Sequence, residues 1–146
     1  MDMKAWTAAL AGCMLAVWAR GAAGQTAGTT GTATTPTSPR AGVYSAEQAA
    51  RGRDIYAGMC QACHTVASHT GPTFRGAWGG RPLSDLFGFI RERMPKNEPG
   101  SLAAEEYADV LAYLLKLNGM PAGEHELPAD TTLLKKIPLD TARAKP

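Results

Sequence analysis

The chain has few cysteines, no long apolar run and almost no imbalance of charge. Three cysteines in 146 residues are too few for a scaffold held by several disulfides, so their placement matters more than their number. No stretch of about 18 apolar residues follows the N-terminus, which argues against a polytopic membrane protein. Fifteen basic side chains stand against 13 acidic ones, for a formal net charge of +2. A protein that coats nucleic acid carries a much stronger basic excess. The sequence also lacks a Ser-His-Asp set, paired carboxylates in a common context and a phosphate-cradling loop. Gly76, Gly79 and Gly80 sit outside the strand-to-helix setting that a nucleotide site requires. No repeat and no strand signal is visible. What remains is one domain of ordinary size with appendages, and nothing that points to substrate chemistry.

The appendages come first. Lys4 gives a weakly positive start, Ala5 to Ala19 is mostly apolar, and Ala22-Ala23-Gly24 offers a small-x-small cleavage site before Gln25. Residues 1–24 therefore read as a signal peptide, and the protein is expected to be exported to the periplasm. The other reading is an uncleaved anchor, although the run is short for a bilayer. Leu10-Ala11-Gly12-Cys13 also resembles a lipoprotein box that would lipidate Cys13, but the apolar run continues beyond it through Trp18. Residues 25–42 are dominated by Thr, Gly, Ala, Ser and Pro. Without a periodic apolar face they cannot offset the entropy of ordering, so a flexible linker is expected.

Folded material is expected over residues 43–120. Ser45 and Gln48 have the spacing of a capping box and open a first helix that runs to about Gly58. Gly52 inside it costs about 1 kcal/mol against Ala. With Tyr56 four residues later, it marks a place where another helix crosses closely. A second helix is predicted from Ser84 to Met94, because Leu83, Leu86, Phe87, Ile90 and Met94 follow the helical template. Pro95 stops it. A third runs from about Leu102 to Asn118, with Tyr107, Val110, Leu111 and Leu114 on its apolar face and Gly119 as its terminator. Ser101 is the best candidate for its cap. Residues 65–82, rich in Gly, Pro and polar side chains, read as loop. Residues 121–146 form a C-terminal tail with one apolar cluster at Leu133-Leu134.

Chemistry concentrates in Cys60-Gln61-Ala62-Cys63-His64, the C-x-x-C-H spacing that attaches c-type haem. Two thiols three residues apart at a helix end can reach both vinyl groups on one porphyrin edge. The next residue then presents an imidazole to the iron. A redox dithiol and half of a zinc site share the C-x-x-C spacing. Zinc needs further ligands, for which only Cys13, His69 and His125 remain, and a dithiol of the thioredoxin kind belongs in a βαβ pattern. Stability favours haem as well. A helical span below about 80 residues with few large apolar side chains rarely supplies more than a few kcal/mol. One covalent macrocycle would serve as the missing core, so the apoprotein is expected to fold poorly.

A distal ligand is the next requirement. Met94 follows His64 by 30 residues, precedes Pro95 and carries the apolar face of the second helix into a loop. A thioether opposite His favours reduced iron and raises the potential. Met120, also followed by Pro, is the competitor, with His69 and His125 as further possible ligands. The remaining alternative for Met94 is that it is simply the last core residue of its helix. Trp78 reads as a donor to a haem propionate or, equally, as plain core. Arg75, Arg81, Arg91, Arg93 and Lys96 outnumber Asp85 and Glu92. That local excess either steers an acidic redox partner or forms a solvated helix face.

On these residues the segment from Val43 to Met120 resembles the small class I c-type cytochromes of bacteria. Gly52 and Tyr56 match the family's N-terminal helix where it meets the C-terminal helix, and Tyr113 stands at the usual aromatic position there. Gly71-Pro72 matches the loop after the haem motif, which implies that the Pro72 carbonyl accepts a hydrogen bond from His64 Nδ1 and so tunes the iron. Met94-Pro95 matches the distal position. The stretch from Met94 through Pro99-Gly100-Ser101-Leu102 to Leu114 is similar to cytochromes that serve, or are fused to, quinone-cofactor dehydrogenases. Ala103-Ala104 depart from the family where polar caps are common.

The resemblance implies an all-α cytochrome c fold, with three main helices and long loops wrapped around one haem c. Cys60 and Cys63 would hold the haem, Pro72 and Trp78 would border it, and His64 and Met94 would bind its iron. The expected function is a non-enzymatic carrier of single electrons from a periplasmic dehydrogenase to a respiratory oxidase or cytochrome. It would have no nucleic-acid partner and no membrane span once the signal is removed, and would act as a monomer or a complex subunit. The alternatives are a haem sensor or peroxidase-like enzyme with an open distal site, and a cytochrome subunit of a dehydrogenase complex.

Overall fold

The computed structural model describes residues 38–140. The expected signal peptide, Cys13, linker residues 25–37 and residues 141–146 lie outside the described residues. Five α-helices make up the described part: α1 (Ala46–Ile55), α2 (Gly71–Trp78), α3 (Leu83–Arg93), α4 (Ala104–Leu117) and α5 (Thr131–Leu134). Isolated bridges at Ser45–Gly123 and Pro82–Pro138 are the only β-pairing among the described residues. The fold is all-α, with α1, α3 and α4 as its three main helices.

α1 begins where its cap predicts. Ser45 Oγ accepts the Gln48 backbone N–H at 3.0 Å, which satisfies one of the orphan donors of the first turn. The reciprocal half of the box is missing, because the Gln48 side chain is used elsewhere. Its amide donates to the Leu127 carbonyl and accepts from the Leu127 N–H, so a buried polar side chain ends fully paired against a distant strap. Gly52 is the crossing point with α4. A Cβ there would lie 1.8 Å from the Asp109 carbonyl oxygen, so the two backbones touch and only glycine fits. Arg51 clamps the same crossing, with both of its bonded nitrogens on the Asp109 carboxylate at 2.8 and 2.9 Å and a further contact to Glu126.

α4 is the most buried helix. Tyr107, Ala108, Asp109, Val110, Leu111, Ala112, Leu114 and Leu115 are all enclosed, a stripe wide enough to face α1 and α3 together. Its start differs from expectation. The N-cap is Ala103 rather than Ser101, and Glu106 Oε2 takes the Ala103 N–H at 2.8 Å. A carboxylate in the first turn thus satisfies the N-cap residue's own N–H, although Ala103 has no hydroxyl to cap the helix, and it also suits the helix dipole. The C-terminus is a full Schellman motif. Gly119, at φ +76, donates to Lys116, and Met120 donates to Leu115.

Two regions depart from the sequence reading. Residues 65–82 are not all loop: Val66–His69 forms a 3-10 turn and α2 follows. Pro72 lies in the first turn of α2, where its missing N–H costs nothing, and Phe74 anchors the helix as its one buried residue. Pro82 caps α3, so that helix starts at Leu83. Beyond Gly119 the chain wraps the domain. Leu127, Leu134, Ile137 and Leu139 are at most 2% exposed. Gly123 donates to the Tyr44 carbonyl, Leu83 donates to Ile137, and Leu139 exchanges bonds with Gly80 and Arg81. At about 1.5–3 kcal/mol for each fully buried aliphatic side chain, these four residues are part of the core. Order also begins ahead of Val43, with Pro39 buried and Arg40 paired to Asp140.

Candidate cofactor site

α1 does not stop at Ile55 but widens into one π turn, Tyr56–Cys60, a distortion that recurs at functional sites. The Gln61 N–H closes it on the Tyr56 carbonyl at 3.0 Å. The chain then tightens: Cys63 and His64 both donate to the Cys60 carbonyl, at 3.1 and 2.9 Å. Cys60, Cys63 and His64 therefore leave a single turn at the end of the helix that Gly52 locks against α4.

Both cysteines are free thiols, Cys60 half-buried and Cys63 exposed. Burial pushes the Cys60 thiol above its ordinary range. Among the described residues no group of three or more His, Cys, Asp or Glu side chains stands together as a metal-binding set. Two neighbouring thiols and an adjacent imidazole fit haem c attachment. Cys60 is one of several partly buried apolar side chains that pack against the core from different elements, with Val66, Trp78, Met94, Leu102, Tyr113 and Leu117 among the others. Apolar surface left half-covered in this way suits a flat apolar macrocycle.

The two methionine candidates are now distinct. Met120 is 5% exposed and lies in the core, where its carbonyl accepts the Tyr44 hydroxyl. Met94 is only partly buried at the exit of α3. Its carbonyl accepts the Tyr107 hydroxyl at 2.8 Å, which ties the exit loop to α4. The periodicity showed Tyr107 as a core position but gave no sign of this bond. Pro72 is exposed in the first turn of α2, and no hydrogen bond links it to His64 among the described residues. Trp78 is half-buried. Its ring carries the Arg81 guanidinium at 4.8 Å and meets Phe89 edge-on at 5.3 Å.

His69 is the residue that the sequence undervalued. Its ring centroid lies 4.6 Å from that of His64, and its carbonyl accepts Asn118 Nδ2 at 2.9 Å. Burial, and then the nearby His64, push its pKa below the ordinary histidine value. His125 is exposed. Of the basic residues near α3, Arg81 pairs with Asp85. Arg75, Arg91, Arg93 and Lys96 are exposed and enter no ion pair among the described residues.

Residues 47–114 match the model of a family described as cytochrome c oxidase, cbb3-type, subunit III. No curated protein and no solved structure matches the chain.

Proposed function

Because residues 47–114 form a class I c-type cytochrome domain, a haem-based electron carrier with one covalent haem c, we propose the residues that hold this haem and the path it serves. Cys60 and Cys63 would hold it through thioethers, and His64 and Met94 would be its axial ligands. The bound group supplies a one-electron iron couple. The protein holds the ligands in place, shields the iron from water and sets the potential. The observation that carries this reading is the single turn in which Cys63 and His64 both bond the Cys60 carbonyl.

The burial of Met120 and its place in the C-terminal cap of α4 support Met94 as the distal ligand. A sulfur ligand opposite His keeps the couple positive, as suits late steps of a respiratory chain. The Pro72 carbonyl would accept the His64 Nδ1 proton, and Trp78 would donate to a propionate. Arg75, Arg91, Arg93 and Lys96 give a basic face that favours an acidic redox partner.

Export to the periplasm places the carrier between a dehydrogenase donor and a respiratory acceptor. No helix among the described residues is long and apolar enough to cross a membrane. A second reading, a cytochrome subunit of a respiratory complex, is favoured by the family's own description as an oxidase subunit. Denaturing electrophoresis of protein matured in a cytochrome c-competent host tests the assignment of the haem-holding residues. Haem should migrate with the chain at one equivalent, and Cys60→Ala/Cys63→Ala should lose it. Co-purification with a membrane complex separates the carrier from the subunit reading.

A further inference from the structure

Resting on the reading of His64 as an iron ligand, we propose that His69 is its positioning residue: its ring packs against the His64 ring and fixes the plane in which that imidazole meets the iron. The two centroids are 4.6 Å apart with the rings tilted by 50°, too close for His64 to turn freely about its soft outer torsion. His69 is itself held on two sides. Tyr56 meets its ring edge-on, with centroids 5.9 Å apart and planes at 84°. Asn118 Nδ2 donates to the His69 carbonyl and to the Leu114 carbonyl, both at 2.9 Å, which pins the 3-10 turn to the end of α4.

The two supports come from α4 and from the end of α1, the helix that crosses it. Tyr56 is 1% exposed, lies at the end of α1 and packs on Tyr113 of α4. Its hydroxyl is buried without a hydrogen-bond partner among the described residues. The contact with the His64 ring is made by a different residue from the Pro72 carbonyl, which would accept the His64 Nδ1 proton. Partners behind a metal ligand orient it and tune the metal.

The test uses the holoprotein with His69→Ala, His69→Phe and Asn118→Ala. Ferric EPR g-values and the paramagnetic NMR shifts of the haem methyls read the orientation of the axial imidazole, and the midpoint potential at fixed pH reads its effect. His69→Ala should reorder or narrow the methyl shifts and lower the potential, because water reaches the freed ligand and favours ferric iron. His69→Phe keeps a ring against His64 and should restore most of the wild-type pattern. Asn118→Ala should shift it in the same direction as His69→Ala, but less. A wild-type pattern and potential in His69→Ala, or a shift in His69→Phe as large as that in His69→Ala, overturns the proposal while leaving His64 as ligand. Failure of the wild-type chain to hold covalent haem instead overturns the reading on which it rests.

Discussion

The α1–α4 crossing and the segment from Cys60 to Gly80 are built on opposite plans. At the crossing, backbones touch at Gly52, Arg51 and Asp109 lock side chains across it, and eight residues of α4 are buried. From Cys60 to Gly80 only Phe74 is buried, although the stretch holds two thiols, two imidazoles and a tryptophan. The first region is closely packed by protein contacts, and the second is chemically equipped but underpacked. A covalent cofactor held at Cys60 and Cys63 would supply the packing that the second region lacks. Poor folding of the apoprotein, expected for the whole domain from its length, should therefore concentrate in residues 60–80.

The largest effect should come from removing the attachment. Cys60→Ala/Cys63→Ala should lose all covalent haem yet keep most of its helical circular dichroism. Hydrogen exchange should show protection retained in α1 and α4 and lost across 60–80. Uniform loss of protection would break the comparison. Next in size is Gly52→Val, whose side chain would meet the Asp109 backbone. Overpacking against a carbonyl that cannot move aside should cost about 3 kcal/mol or more. Gly58→Ala, two turns nearer the motif and with nothing within 4 Å of the new Cβ, should be close to neutral. Denaturant unfolding of the two variants sharpens the contrast.

How much of this was legible depended on whether a signal was local. The Ser45 cap, the crossing at Gly52, the apolar face of α3 and the Met94 exit each rest on residues within a few positions of one another, and each was readable. α2 was not, because Gly71, Pro72, Gly76 and Gly79 give it the composition of a loop. Its stability comes from Phe74 reaching the core rather than from propensity. The C-terminal strap was equally hidden. Leu127, Leu134, Ile137 and Leu139 have no helical or strand period, and their partners, Gln48 among them, lie far away in sequence. Asn118 reads as the last residue of the third helix, and only the fold reveals that it also holds His69.

The strap belongs with the crossing on the protein-sustained side. Leu134→Ala removes a fully buried side chain that caps α3 from α5 and should cost about 2–5 kcal/mol, read by thermal unfolding of both apo and holo forms. The smallest effect is at Asp130, the N-cap of α5. Hydrogen bonds from the Thr132 and Leu133 N–H groups, with Lys136 nearby, hold its carboxyl below the usual range. A lowered folded pKa stabilises the fold above the ordinary carboxylate range, and that contribution is lost as pH falls through the lowered value. The unfolding midpoint of Asp130→Ala should therefore trail the wild type slightly at neutral pH and converge with it in acid.

The most direct test of the central claim, an electron carrier with iron closed by His64 and Met94, is the absorption spectrum of the oxidised and reduced holoprotein with and without CO, beside Met94→Ala. The account predicts a low-spin native protein that resists CO and a Met94→Ala variant that turns high-spin and binds it. A native protein that binds CO readily would contradict the account and leave the iron with an open face, the site of a sensor or an enzyme.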